Sequence, residues 1–217
     1  DYVLVQSENP TTWEARAISE INFFLKEALR IELPVVSEGS FSYSASGKYI
    51  SIGKTKLLQE SGIVVANDYL KTSGYAIYSK DNVTYLYGST NRANSYGVLY
   101  AAYGLLEELI DLKLYTSDCY TYETKSVIKM REFDEMTVPD IDMRDHSSTR
   151  MDTTYKMRLR YYGGEVRRLG NTHTHFIILP PEKYYAEHPD WYNSDCTQLR
   201  LLNEEMTEEF IKQVKQH

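Results

Sequence analysis

The sequence predicts an α+β protein: a mostly antiparallel sheet covered by two helices over residues 1–126, then the first β/α units of a (β/α)8 TIM-type barrel, incomplete, over 127–217. Three observations predict it. Two long amphipathic helical patterns lie among short strand-like runs in the first part. The turn signal Asp81-Asn82 joins two of those runs as a hairpin, and hairpins favour antiparallel neighbours. Past Val127, strand and helix patterns alternate.

Taken in order, Tyr2 to Gln6 reads as a short strand. Thr11 then caps a helix, and Glu14, three residues on, completes a capping box. Trp13, Ala17, Ile18, Ile21, Phe24, Leu25, Ala28 and Leu29 form its apolar face through to Arg30, and Pro34 forbids continuation. Leu33 to Val36 and Lys48 to Ile52 are strands on either side of an exposed Ser/Gly-rich loop over 37–47, and a short helix follows from Thr55 to Glu60. Gly74 to Lys80 and Val83 to Gly88 are the hairpin arms. From Gly88 to Leu109 the chain passes through a polar turn into its strongest helix. Val98, Leu99, Ala102, Leu105, Leu106 and Leu109 recur there at three- and four-residue steps, while Glu107 and Glu108 lie off the stripe. Such a stripe must be buried, and the sheet is its natural partner. Leu112 to Tyr115 is a brief strand, 117–125 a polar connector, and the first domain ends near Ser126.

Beyond it, Asp140 to Asp145 alternates polar and apolar like a strand, and Thr153 to Tyr162 reads as a short basic helix stopped by Gly163 and Gly164. A helix starts at Pro181, whose missing N–H is harmless in a first turn, and runs to His188 before Pro189. Gln198 to Leu202 reads as a strand, and Asn203 caps a helix in which Met206, Phe210, Ile211 and Val214 share one face. A full barrel takes roughly 250 residues, so this is the start of one. A partial barrel leaves strand edges and apolar helix faces uncovered, and the expected partner is the missing C-terminal barrel portion of the same protein.

Composition narrows the function classes. A net charge of −7 with scattered Lys and Arg argues against nucleic acid as a partner, because phosphate binding needs a basic patch. No run of about 18 apolar residues exists, so no membrane span is expected. Cys119 and Cys196 match no C-x-x-C spacing and read as two free thiols. The chain holds 20 Tyr, whose flat rings with polar tips suit sugar stacking as well as half-wet surfaces. No Gly-rich phosphate loop, G-x-S-x-G elbow or dinucleotide fingerprint is present, and no cofactor is expected.

The G-x-T strand end at Gly88, its small-residue turn and the following G-V-x-x-A-x-x-x-L-L-E-E helix resemble the small α/β domain that precedes the barrel in the family 20 hexosaminidases and the family 67 α-glucuronidases. Pro180-Pro181-Glu182-Lys183-Tyr184-Tyr185 and Glu187-His188-Pro189 extend the resemblance to an uncharacterised bacterial family of presumptive glycoside hydrolases, known by a domain of unknown function. That resemblance implies a carbohydrate substrate, acid/base hydrolysis, and export to the periplasm or cell exterior. It also implies that the catalytic acid and its partner come from later barrel strands, so that the 217-residue chain alone lacks turnover.

The resemblance also points to substrate-binding candidates. Arg144 matches an Arg at the end of the first barrel strand that grips a sugar hydroxyl; the plainer alternative is a salt bridge to Asp142 or Asp145. His173-Thr174-His175-Phe176 matches a His-Thr-aromatic loop, with an additional His175 that leaves open which imidazole faces the pocket. Trp191 and Tyr192 could floor a sugar subsite or pack as core. Arg200 stands where the resembling family has Cys, and could point into the barrel mouth. Two other classes stay open: a metal-dependent hydrolase built on His173 and His175 with Asp142, Asp145 and His146 nearby, and a non-catalytic carbohydrate- or protein-binding module. Glycosidases set two carboxyl groups about 5 to 9 Å apart. Asp140, Asp142, Asp145, Glu165 and Glu182 qualify only by residue type, so no catalytic residue is assigned.

Overall fold

The structure, a computed structural model, describes residues 2–91, 95–141, 144, 152–161 and 174–216. The chain divides into two compact units, Asp1–Glu165 and Val166–His217. The first is α+β, built on a mixed six-stranded sheet.

β1 (Tyr2–Gln6) leads into α1 (Thr12–Leu29) through the expected capping box. The Thr11 hydroxyl accepts the Glu14 N–H at 3.2 Å, and the Glu14 carboxylate accepts the Thr11 N–H at 2.7 Å. Two donors with no partner inside the helix are thereby satisfied. Arg30 ends the helix in the left-handed region at φ 58°. Asn22 then holds the returning chain by both atoms of its amide on Leu33, at 2.9 and 3.0 Å, and β2 (Val35–Ser37) starts beside β1.

β3 (Lys48–Ile52) and the short helices α2 (Lys56–Glu60) and α3 (Asn67–Leu70) precede the hairpin arms β4 (Tyr75–Lys80) and β5 (Val83–Gly88). Asp81 and Asn82 both have positive φ, 50° and 61°, as a two-residue hairpin turn of the primed kind requires. α4 (Gly97–Ile110) follows, then a two-residue pair β6 (Lys113–Leu114) and β7 (Tyr120–Thr121).

The sheet order is β2-β1-β3-β5-β4-β8, where β8 is Asp134–Thr137. The expectation of a mostly antiparallel sheet needs correcting. β1 pairs in parallel with β2 and with β3, and β3 in parallel with β5; only β4 runs against its neighbours. A two-residue turn reverses the chain only between β4 and β5. A helix between strands carries the chain back to the starting edge, as α1 does from β1 to β2.

Side chains alternate across this sheet. Leu4, Ile50, Ile52, Ile77 and Leu86 pack on one face against Ile21, Phe24 and Leu25 of α1 and Leu99, Leu105 and Leu106 of α4. Val5, Tyr49, Ala76, Val83, Tyr85 and Tyr87 face the other way, onto Leu58 of α2 and Leu70 of α3. The two expected covering helices do cover one face, and two short ones with flanking loops cover the second.

The first unit does not stop near Ser126. β8 adds to the edge at β4, and α5 (Thr153–Arg158) sends Met157 into the main core. Arg158 fixes this return. It is 7% exposed, its Nε donates to Glu20 at 3.0 Å, its guanidinium lies 4.8 Å from the Phe24 ring centroid, and a further N–H reaches the Ser117 carbonyl. The Tyr103 hydroxyl also donates to Glu20, at 3.2 Å, and burial followed by that carboxylate drives its pKa far above the ordinary phenol value. At Arg160, burial works against the charge, but Glu107 at 2.9 Å outweighs it and the pKa rises.

Other expectations shift as well. Asp140, Ile141 and Arg144 lie in no strand, and Asp142 and Asp145 fall outside the described residues, as do Gly163, Gly164 and Glu165. In the second unit the helix expected from Pro181 to His188 is shorter. α6 (His175–Ile178) and α7 (Pro181–Tyr184) precede a 3-10 turn at Pro189–Trp191. Gln198 to Leu202 forms no strand, only an isolated bridge from Leu199 to Tyr192, because no neighbouring strand lies there to complete a ladder. α8 (Glu204–Val214) is capped by Asn203 as expected, its Oδ1 accepting from Met206 N–H at 3.0 Å. Met206 is buried, while Ile211 and Val214 are exposed.

Candidate functional site

In a parallel sheet the carboxyl ends of the strands gather at one edge, and so do the amino ends of the helices that follow them. β1, β2, β3 and β5 share that direction. The chain leaves β1 for β2 on one side, while β3 lies on the other, so the sheet order switches at β1. A crevice of about 360 Å3 opens at that edge. It is lined by Ser7, Glu8 and Asn9 after β1, Glu38 after β2, Gly53 and Lys54 after β3, and the turn from Gly88 to Asn91 after β5. The amino ends of α1 and α4 supply Thr11, Glu14, Ser95 and Val98.

The lining is preorganised by backbone donors. Glu14 is 6% exposed and accepts Lys54 N–H at 2.8 Å as well as the Thr11 N–H of its own cap. Gly53, at φ 73°, is where the loop passes Glu14, and a Cβ there would collide with that carboxylate. Glu38 ties two loops together, accepting from Lys56 N–H at 2.6 Å and Glu8 N–H at 3.3 Å. Asn67 of α3 holds the turn after β5 by accepting Thr90 N–H at 2.6 Å. The Ser89 hydroxyl donates to Asn91 at 2.6 Å. Ser95 is 8% exposed, and its hydroxyl has no hydrogen-bond partner among the described residues. Tyr96, at the N-cap of α4, makes no capping hydrogen bond with its side chain.

Chemically, this is a set of hydroxyls, amides and carboxylates. No His or Cys is among the described residues that line it. Among the described residues no group of three or more His, Cys, Asp and Glu could hold a metal ion, and His173, His146, Asp142 and Asp145 lie outside them.

Of the candidates named from the sequence, Arg144 does not line this crevice and His173 lies outside the described residues. Arg144, in the first unit, donates from Nε to the Arg160 carbonyl at 3.1 Å and from a terminal nitrogen to the Ile141 carbonyl at 2.6 Å, so it braces backbone. His175, in the second unit, opens α6 with its ring edge-on to Phe176. Trp191 and Tyr192 belong to the second unit's core, at 2% and 0% exposure. The Trp191 ring stacks on His188 and Tyr184, with centroids 3.9 and 5.7 Å away. The Tyr192 hydroxyl donates to the Leu179 carbonyl at 3.1 Å, and burial first, then Cys196, pushes its pKa up to about 12. Arg200 is exposed, with its backbone N–H on the Trp191 carbonyl at 2.8 Å. Cys119 and Cys196 are free thiols. Among the described residues no helix is long and apolar enough to cross a membrane.

No family model matches this chain, and no curated protein matches it. The crevice was missed in the sequence for a physical reason. Thr11 with Glu14 and the turn after Gly88 were each read as local structure, and an antiparallel sheet would have sent their strand ends to opposite edges.

Proposed function

We propose that the chain is the N-terminal part of a glycoside hydrolase that cleaves oligo- or polysaccharide by acid/base chemistry. In this reading the first unit is an accessory layer, and the second contributes helices to a (β/α)8 barrel whose later strands carry the two carboxyl groups. One observation supports it best. The second unit buries only a small cluster around Trp191, Tyr192 and Met206, yet leaves Ile177, Leu201, Leu202, Ile211 and Val214 exposed. Apolar surface of that kind needs covering, and barrel helices cover theirs against strands. Isolated strand segments gain no ladder until neighbours arrive, which accounts for Gln198 to Leu202 lying outside any strand. In the first unit's crevice Glu14 and Glu38 each accept two backbone N–H groups, a holding role in the loops. The test compares the 217-residue chain with the longer reading frame that contains it, on a panel of nitrophenyl glycosides. Only the longer protein is expected to release nitrophenol. Turnover by the pure 217-residue chain, or none by the longer protein on any glycoside, overturns the proposal.

A further inference from the structure

The crevice at the carboxyl ends of β1, β3 and β5 has no part in the hydrolase reading, which puts the reacting carboxyl groups on later barrel strands. We propose that it is a binding site for a neutral, hydroxyl-rich small molecule about the size of one cyclic polyol. The inference stands whether or not the longer protein cleaves glycosides.

Four observations carry it. The site sits where open parallel sheets bind ligands, at the edge on which the strand order switches. Its volume of about 360 Å3 lies in the range of small-molecule pockets. Its walls are held open by hydrogen bonds from Lys54, Lys56 and Thr90 N–H to Glu14, Glu38 and Asn67, so a ligand meets a formed site. Ser95, more than nine-tenths buried, lines it with a hydroxyl that no described group engages. A buried hydroxyl without a partner costs roughly what a lost hydrogen bond costs, and a ligand hydroxyl or ordered water removes that penalty.

The lining also selects the ligand's charge. Among the described lining residues Glu8, Glu14 and Glu38 outnumber the one cation, Lys54, so an anion meets net repulsion from them. Each carboxylate has spare lone pairs that accept from hydroxyl donors, and Ser, Thr, Asn and Gln both donate and accept. A polyol, whose every oxygen does both, satisfies such a wall. No aromatic ring lines the crevice to add stacking, and the expected affinity is in the millimolar range.

The test uses the 217-residue chain with methyl glucoside, N-acetylglucosamine and myo-inositol as neutral probes, and with inorganic phosphate and glucuronate as anions. Binding is read by saturation-transfer NMR and by amide shifts. At least one neutral probe is expected to saturate in the millimolar range, shifting amides of 53–54, 89–91 and 95–98, with the anions weaker. Ser95→Ala should weaken that probe about fivefold, one hydrogen bond's worth. Gln59→Ala, at an exposed residue of the same lining, should weaken it without changing the melting temperature. No saturation by any neutral probe at tens of millimolar overturns the proposal. So does tighter binding of phosphate, or binding that both substitutions leave unchanged. Hydrolysis by the longer protein is measured separately, so loss of one reading leaves the other standing.

Discussion

The first unit encloses the apolar side chains of its sheet from both sides, whereas the second, less than a third as long, leaves a larger share of its own in solvent. All six residues of β5 are buried, between α1 and α4 on one face and α2 and α3 on the other. Among the described residues of the second unit, Ile178, Leu179, Trp191, Tyr192, Leu199 and Met206 form the buried core, and Leu202 is 98% exposed. The difference teaches where each unit's stability resides. A two-faced sheet spreads it over many side chains. A small unit concentrates it in a few, because a short chain buries a smaller share of its surface.

The largest effect expected from that contrast is at Trp191. Trp191→Ala removes the ring that stacks on His188 and Tyr184, and costs about 3–5 kcal/mol. That matches or exceeds what so small a core supplies, so amide-exchange protection should vanish across 176–206. Retained protection there would show that the unit's stability is spread as in the first.

A smaller share of the first unit's stability is at stake in Arg158→Met. This leaves Glu20 buried with Arg16, at 2.8 Å and partly exposed, as its remaining cation and the Tyr103 hydroxyl as a neutral donor, and is expected to cost about 3 kcal/mol in urea unfolding. The triple variant Glu20→Leu, Tyr103→Phe and Arg158→Met should recover most of that loss, because apolar groups replace the buried pair and no Tyr103 hydroxyl is left without its acceptor. A loss under about 1 kcal/mol for the single variant would place α5 outside the first unit's cooperative core.

The smallest effect concerns pH at Asp152, which caps α5. Its carboxylate accepts Tyr155 N–H at 2.7 Å, and backbone hydrogen bonding from Tyr155, then a side-chain hydrogen bond from Ser117, lowers its pKa below 3.8. A lowered folded-state pKa means that the cap's charged contribution is fully present above the unfolded value and is lost as pH falls through the folded one. Between pH 7 and 5 no change is expected from this group. Below pH 4 the α5 amides should lose protection, and Asp152→Asn, which still caps, should remove that acid dependence. An unchanged acid response in Asp152→Asn would assign it to other carboxyls.

The legible parts of the chain are those whose causes lie within a few residues. The Thr11–Glu14 box, the Asp81-Asn82 turn with two positive φ values, the α4 stripe and the Asn203 cap all appear where the sequence put them. β8 was illegible because its four residues are all exposed, so no alternation marks it, and only pairing with β4 makes it a strand. Trp191 stays open in the sequence because an aromatic beside Pro189 looks the same there whether it floors a subsite or fills a core.

By itself, then, the sequence determined the elements and their caps, since side-chain sterics and hydrogen bonds over three or four residues settle those. Tertiary structure alone decided the parallel order of β2, β1, β3 and β5, the meeting of Glu20 with Arg158 across 138 residues, and the crevice at the strand ends. Each depends on which segments become neighbours. That choice is made by the burial of whole faces against one another, and no short window of residues records it.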